Sequence, residues 1–225
     1  GQVQYQSSST SSGTRLNSSL DDLASSTTIV TKKQMADFAL LDINDLFAYE
    51  AGTEGSATFT DAEVDRNGSP VDVTSTNPAA ANRVRGVGAA NISFGNFASN
   101  GLVPIDPSNI DGVEISRGPN SSIFGLGNVS GTVNLMPASA NLTRNRSSLA
   151  FRADSFGGHR SSLDLNRVLS KNRLAIRGSA VFQHDGFERK PSGVDSVRLN
   201  AMVRVRPFQN TMITASFSRY RSDGT

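Results

Sequence analysis

The sequence predicts a chain of two unlike parts: a small mixed α+β domain, followed by antiparallel β-strands that run to the last residue. Three observations carry this. Residues 143–225 alternate apolar and polar side chains with the period of two that a strand imposes. Residues 25–142 instead mix short strand-like runs, two helix starts and dense glycine turns. Charge divides at the same place: residues 1–142 hold 7 Lys+Arg against 14 Asp+Glu, and residues 143–225 hold 15 against 6. The net charge of +2 hides this segregation, which suggests two different jobs.

Residues 1–24, rich in Ser and Thr with little apolar content, read as a flexible lead-in. The run "TIVTKKQMADF" gives a short strand and then a helix start, with Thr31 and Gln34 spaced as a capping box. A second helix is expected from Asp42, since Ile43, Leu46 and Phe47 follow at i, i+3 and i+4. The region 51–82, rich in Gly, Asn, Thr and Pro, reads as loop with short strands. "NRVRGVG" and "DGVEISR" are strand-like.

Residues 110–136, "IDGVEISRGPNSSIFGLGNVSGTVNLM", raise the question of what so glycine-rich a backbone approaches. A phosphate fails on spacing. Gly125, Gly127 and Gly131 give G-x-G-x-x-x-G rather than a dinucleotide fingerprint, and Thr132 stands where a P-loop needs Lys. The β-type run "TVNLM" that follows offers no helix N-terminus to hold an anion. A strand–turn–strand element with glycines at positive φ remains.

The second half reads as five strands of period two. Leu174, Ile176, Ala180 and Phe182 share a face, opposite Arg173, Arg177, Ser179 and Gln183. Leu199, Ala201, Val203 and Val205 alternate with Arg198, Asn200, Arg204 and Arg206. Ile213, Ala215 and Phe217 alternate with Thr214, Ser216 and Ser218, and "LAFRAD" and "SSLDLN" are weaker examples. The connections "LSKN" and "PFQN" are short, whereas "HDGFERKPSGVD" is longer. Long strands with short turns on one side and a longer loop on the other fit an outer-membrane barrel, apolar outside and polar within. A water-soluble β-sandwich with one solvated face gives the same alternation. On the barrel reading the arginines line a wet interior and form no nucleic-acid patch, so no nucleic-acid partner is expected.

Composition narrows the chemistry. The chain of 225 residues has no cysteine, which excludes disulfides and thiolate metal sites. Mean hydropathy is −0.29, and no run approaches the roughly 18 apolar residues of a membrane-spanning helix. The first residues lack the basic and apolar regions of a signal peptide. His159 and His184 are the only histidines, both at expected strand ends or loops. Without an H-E-x-x-H pattern they argue against a catalytic zinc, and without a G-x-S-x-G elbow His184–Asp185 makes no triad. Glu63, Asp65, Asn67 and Gly68 lack the first and twelfth ligands of a calcium loop and read as a solvated turn. No catalytic residue, metal site or cofactor is expected, and the chain reads as something other than an enzyme.

"VEISRGPNSSIFGLGNVSGTVNLM" resembles the end of the plug domain of TonB-dependent outer-membrane receptors. Val113, Glu114, Arg117, Gly118, Pro119, Phe124, Gly125, Gly127, Gly131, Val133 and Asn134 occupy the matching positions. "STTIVTKKQMADF", "DINDLFAY" and "NRVRGVG" match the family's first strand and helix, second helix and Arg-x-Arg-Gly strand, in order. "IDPSNIDGVEISRGPNSSIFGLG" is most like the ferric-siderophore receptor group. The family's usual Asp-Gly after the Arg-Gly strand is replaced by "SFGNFASNG", and 53–82 carries a polar insertion with no matching motif.

The resemblance implies an α+β plug domain over 25–142, a small mixed sheet with short helices. The first five or so antiparallel strands of a truncated transmembrane β-barrel then occupy 143–225. It implies an outer-membrane receptor that takes up a scarce solute, a ferric siderophore or similar metal chelate, with TonB and outer-membrane lipid as partners. The segment that meets TonB is expected upstream of Gly1. Phe97, Asn100 and Ser108 fall on turns like the plug apices that bind ligand. Glu114 and Arg117 resemble charges that pair plug with barrel, a local ion pair being the alternative, and Gly118, Gly125 and Gly131 allow close backbone approach to the barrel wall. The alternative function is a secreted, soluble, β-rich binding or adhesion protein.

Overall fold

The computed structural model describes residues 9–10, 18–19, 26–55, 62–64, 70–72, 83–84, 91–99, 105–117, 131–188 and 190–224. The chain divides into two units, Gly1–Ala57 with Ala62–Pro137, and Thr58–Asp61 with Ala138–Thr225.

In the first unit β1 (Ser9–Thr10) pairs with β2 (Ser18–Ser19), then β3 (Ser26–Thr31) leads into α1 (Lys32–Asp37) and α2 (Ile43–Tyr49). Four short strands follow: β4 (Thr53–Glu54), β5 (Ala62–Val64), β6 (Pro70–Asp72) and β7 (Arg83–Val84), with β4 paired to β7 and β5 to β6. The main sheet comprises β3, β8 (Asn91–Phe94), β9 (Phe97–Ala98), β10 (Ile110–Arg117) and β11 (Gly131–Pro137), in the order β3-β10-β11-β8-β9. Pairing is antiparallel except between β11 and β8, which run parallel.

Both helices start where the side chains dictate. The Thr31 hydroxyl accepts from Gln34 N at 3.2 Å and the Asp42 carboxylate accepts from Asp45 N at 2.8 Å, each satisfying an orphan N–H of a first turn. With 6 and 7 residues the helices are too short to persist alone, so packing must hold them. Met35, Ile43, Leu46 and Phe47 are buried with Val30, Ile92, Val113, Ile115, Val133 and Leu135 in one core. Burial of each such side chain contributes about 1.5–3 kcal/mol. The other face of the central strands is buried too, although it is polar: Ser93, Glu114, Ser116, Thr132 and Asn134 are at most 8% exposed.

The second unit is an antiparallel meander of β12 (Arg146–Ala153), β13 (His159–Ser170), β14 (Leu174–Gly186), β15 (Gly193–Phe208) and β16 (Thr211–Gly224). The five strands expected from alternation are all present. The last four have 12 to 16 residues, beyond the 9–11 or so that cross a bilayer. Turns at 171–173 and 209–210 close one end, and longer connections at 154–158 and 187–192 close the other. The segment before β12 is tied to the sheet. Arg177 makes a two-pronged pair with Asp164 and also donates to Ser139 O at 3.1 Å, while Asn166 donates to the carbonyls of Asn141 and Arg144.

Burial in this sheet is inverted relative to a water-soluble protein. Phe151, Ile176, Phe182, Leu199, Val203, Ile213 and Phe217 are all exposed, whereas the polar Arg160, Asn166, Ser179, Ser196, Arg198 and Asn200 are buried beside Ala175, Val181, Val194 and Met202.

Candidate functional site

The candidate site is built around Asn134 in the middle of β11. The register places it opposite Glu114 of β10 on one side and opposite Ser93 of β8 on the other. Its amide bridges the three strands. Nδ2 donates to Glu114 Oε2 at 2.9 Å, and Oδ1 accepts from Ser93 Oγ and from Asn96 N, each at 2.9 Å. Glu114 and Asn134 are each 1% exposed. A buried carboxylate is tolerable only where donors reach it, so this amide is part of what allows Glu114 in the sheet.

The bond to Asn96 carries the network into the turn between β8 and β9. Phe94 and Phe97 pair across that turn, leaving Gly95 and Asn96 as a two-residue loop with φ of 59° and 68°. Two successive positive φ values match the twist of a tight hairpin, and Gly and Asn are the residues that adopt them readily. Phe97, just past the tip, is 80% exposed, a large apolar surface in water on a held backbone.

The other expected ligand turn lies at the same end of the sheet. β10 begins where β8 and β11 end, so the 105–109 turn that feeds β10 and the 95–96 hairpin tip share an end. Asp106 shapes that turn by accepting from Ser108 N at 2.8 Å. Ser108 itself is buried, 8% exposed, so its hydroxyl offers little to solvent. Asn100 lies outside the described residues. Beside Ser108, Asn109 Oδ1 is a buried acceptor with no donor among the described residues. Asn109 and Asn134 both escaped prediction as site residues. Asn134 stood in the recognised pattern, but its role depends on a cross-strand register that no local spacing reveals.

The opposite end of the sheet carries Arg117 and Gly131. Arg117 donates to Glu50 Oε2 at 2.8 Å and to Thr28 Oγ1 at 2.7 Å, joining the last residue of β10 to β3 and to the cap of α2. Both charged side chains are largely withdrawn from water, 13% and 14% exposed, which makes the pair worth more than a surface bridge. These partners, like the amide at Glu114, belong to the first unit. Gly131 opens β11 at φ 142°, a conformation open to glycine and strained for other residues. Gly118 and Gly125 lie outside the described residues.

The TonB-dependent receptor plug domain family matches residues 19–132. No curated protein sequence matches the chain. Among solved structures, the ferripyoverdine receptor of the outer membrane of Pseudomonas aeruginosa, bound to ferripyoverdine, is similar over 98% of the chain, with TM-score 0.79 and 20% identity. The alcaligin outer-membrane receptor of Bordetella pertussis covers 97% at TM-score 0.76 and 21% identity. The closed form of a ferric-catecholate import receptor of E. coli covers 98% at TM-score 0.78 and 17% identity. The chain spans only 28%, 36% and 29% of these three receptors. With a plug-domain match over half its length, the chain belongs to the TonB-dependent receptor plug domain family.

Proposed function

We propose that the protein takes up a scarce solute, a ferric siderophore or similar metal chelate, across the outer membrane in which it resides. The observation that carries this reading is the inverted second sheet. Seven large apolar side chains on its exposed face are between 39% and 74% accessible. Leaving them in water forgoes on the order of 10 kcal/mol, as much as the whole net stability of a typical domain. Against lipid that cost vanishes, and the arginine-rich opposite face then suits a wet lumen. A soluble adhesion sheet would bury the opposite set of residues, so the uptake reading is preferred.

Ligand would be met by Phe97 at the hairpin tip and the Asp106–Asn109 turn, which includes Ser108, with Asn100, outside the described residues, kept as a third candidate from the sequence. An exposed aromatic with amide and hydroxyl groups nearby suits a bulky amphipathic chelate. The three similar receptors are named for three different ligands, which supports the class rather than one chelate. Release would follow when TonB pulls the N-terminal segment and the plug rearranges, with no covalent step. The decisive experiment measures uptake of radiolabelled iron from a panel of ferric chelates, in a deletion strain with and without the restored gene. Restored uptake of at least one chelate is expected. Wild-type uptake of every chelate in the deletion strain, or recovery of the protein as a soluble periplasmic monomer, would overturn the proposal.

A further inference from the structure

The register of the second sheet puts His159 of β13 directly opposite His184 of β14, and His184 directly opposite Asp195 of β15. Directly opposite residues share a face, with Cβ atoms about 4.5–5.5 Å apart. The two imidazoles are stacked, with centroids 5.3 Å apart and planes at 25°. His184 Nδ1 lies 2.8 Å from Asp195 Oδ1. A carboxylate there favours the proton on Nδ1 and leaves Nε2 as the nitrogen with a lone pair. The ring edge bearing Nε2 faces Gly193, where an added Cβ would stand 3.2 Å from Cε1 and 3.7 Å from Nε2. Glycine at that position keeps the edge uncrowded. His159 is exposed and the His184 side chain is 35% exposed; both share the face of Phe182 but lie at the loop end of β13 and β14, strands longer than the 9–11 or so residues that cross a bilayer. The chain has only two histidines, and the fold sets them side by side.

We propose that His159 and His184 form a two-histidine site for a borderline divalent metal ion of the Zn2+ class, with Asp195 as a positioning residue. Imidazole selects such ions over Ca2+ and Mg2+, which prefer oxygen. With Zn–N bonds of about 2.0–2.1 Å, tetrahedral binding needs the two nitrogens about 3.3 Å apart. Rotation of the exposed His159 ring out of the stack supplies that approach. Asp223 continues the row opposite Asp195, but Arg221 Nε stands 3.1 Å from its carboxylate and engages it. No group of three or more metal-ligating side chains forms among the described residues. The remaining coordination positions therefore fall to water or to an external ligand.

The site is independent of which solute is taken up, and its test reads no transport. Zinc chloride is titrated calorimetrically into the full-length protein in detergent, in metal-free buffer. Wild-type protein is expected to bind Zn2+, and an excess of Ca2+ or Mg2+ is expected not to displace it. His159→Gln and His184→Gln should each weaken binding at least tenfold, and Asp195→Asn by about 10- to 100-fold. Circular dichroism checks that the variants keep the sheet. With Cu2+ as probe, electron paramagnetic resonance should show two nitrogen ligands in wild type and one in each histidine variant. Absence of zinc binding by wild type, or binding unchanged in the double histidine variant, would refute the site. Unchanged affinity in Asp195→Asn would refute the positioning role.

Discussion

Replacing Asn134 by Ala removes three hydrogen bonds at once, one of them to the buried carboxylate of Glu114. The bonds from Ser93 and Asn96 are neutral and contribute about 1 kcal/mol each, and the one to Glu114 about 1.5–3 kcal/mol because its acceptor is charged. Relaxation and an entering water recover part of this, so a local loss of about 2–4 kcal/mol is expected. At 1.4 kcal/mol per factor of ten, amides of β8 and the hairpin tip should exchange with solvent about 30- to 700-fold faster. Hydrogen exchange followed by mass spectrometry on the intact protein reads this directly. Asn134→Asp is the sharper probe. It keeps the shape but sets a second carboxylate against Glu114, which is 1% exposed, so like charges meet out of water. It should therefore be worse than alanine, and adding Glu114→Gln should recover part of the loss. The reasoning fails if Asn134→Ala changes exchange less than threefold, or if Asn134→Asp is as stable as wild type.

Arg117→Ala should destabilise the first sheet by about 1.5–3 kcal/mol, because it breaks charge-assisted bonds to Glu50 and Thr28 that are little exposed; a lowered urea midpoint with unchanged slope checks it. Phe97→Ala should leave stability within about 0.5 kcal/mol, since the ring is 80% exposed, yet on the proposed uptake role weaken binding of a chelate that restores uptake, read by fluorescence quenching. Phe182→Arg, on the exposed apolar face, should cost bilayer stability, with the midplane figure of about 2–4 kcal/mol as its upper bound. Reduced outer-membrane recovery would be its sign, whereas Gln183→Arg on the other face should not reduce recovery through lipid contact. Asp164→Ala should leave Arg177 without its two-pronged partner and loosen the carbonyl contact at Ser139, so faster proteolysis within residues 138–145 is expected.

Everything that depends on near neighbours in the chain was legible in the sequence. Thr31 and Asp42 announce the two helix starts because a cap acts across three residues. The five long strands follow from alternation alone, since a strand turns successive side chains to opposite faces. Alternation does not, however, say which face meets water. Phe182 and Phe217 are apolar in either reading, and only the folded sheet leaves them exposed while burying Ser179 and Asn200. The glycine pattern identified the plug. Yet the part played by Asn134 required β11 to lie between β10 and β8, bringing together residues 20 and 41 positions apart. The histidine pair is of the same kind. His159 and His184 look unrelated in sequence, and antiparallel register alone makes them neighbours, because pairing over eleven residue pairs of β13 and β14 leaves no freedom to slip. Local rules set the elements of this chain, while the register between distant strands set which side chains could act together.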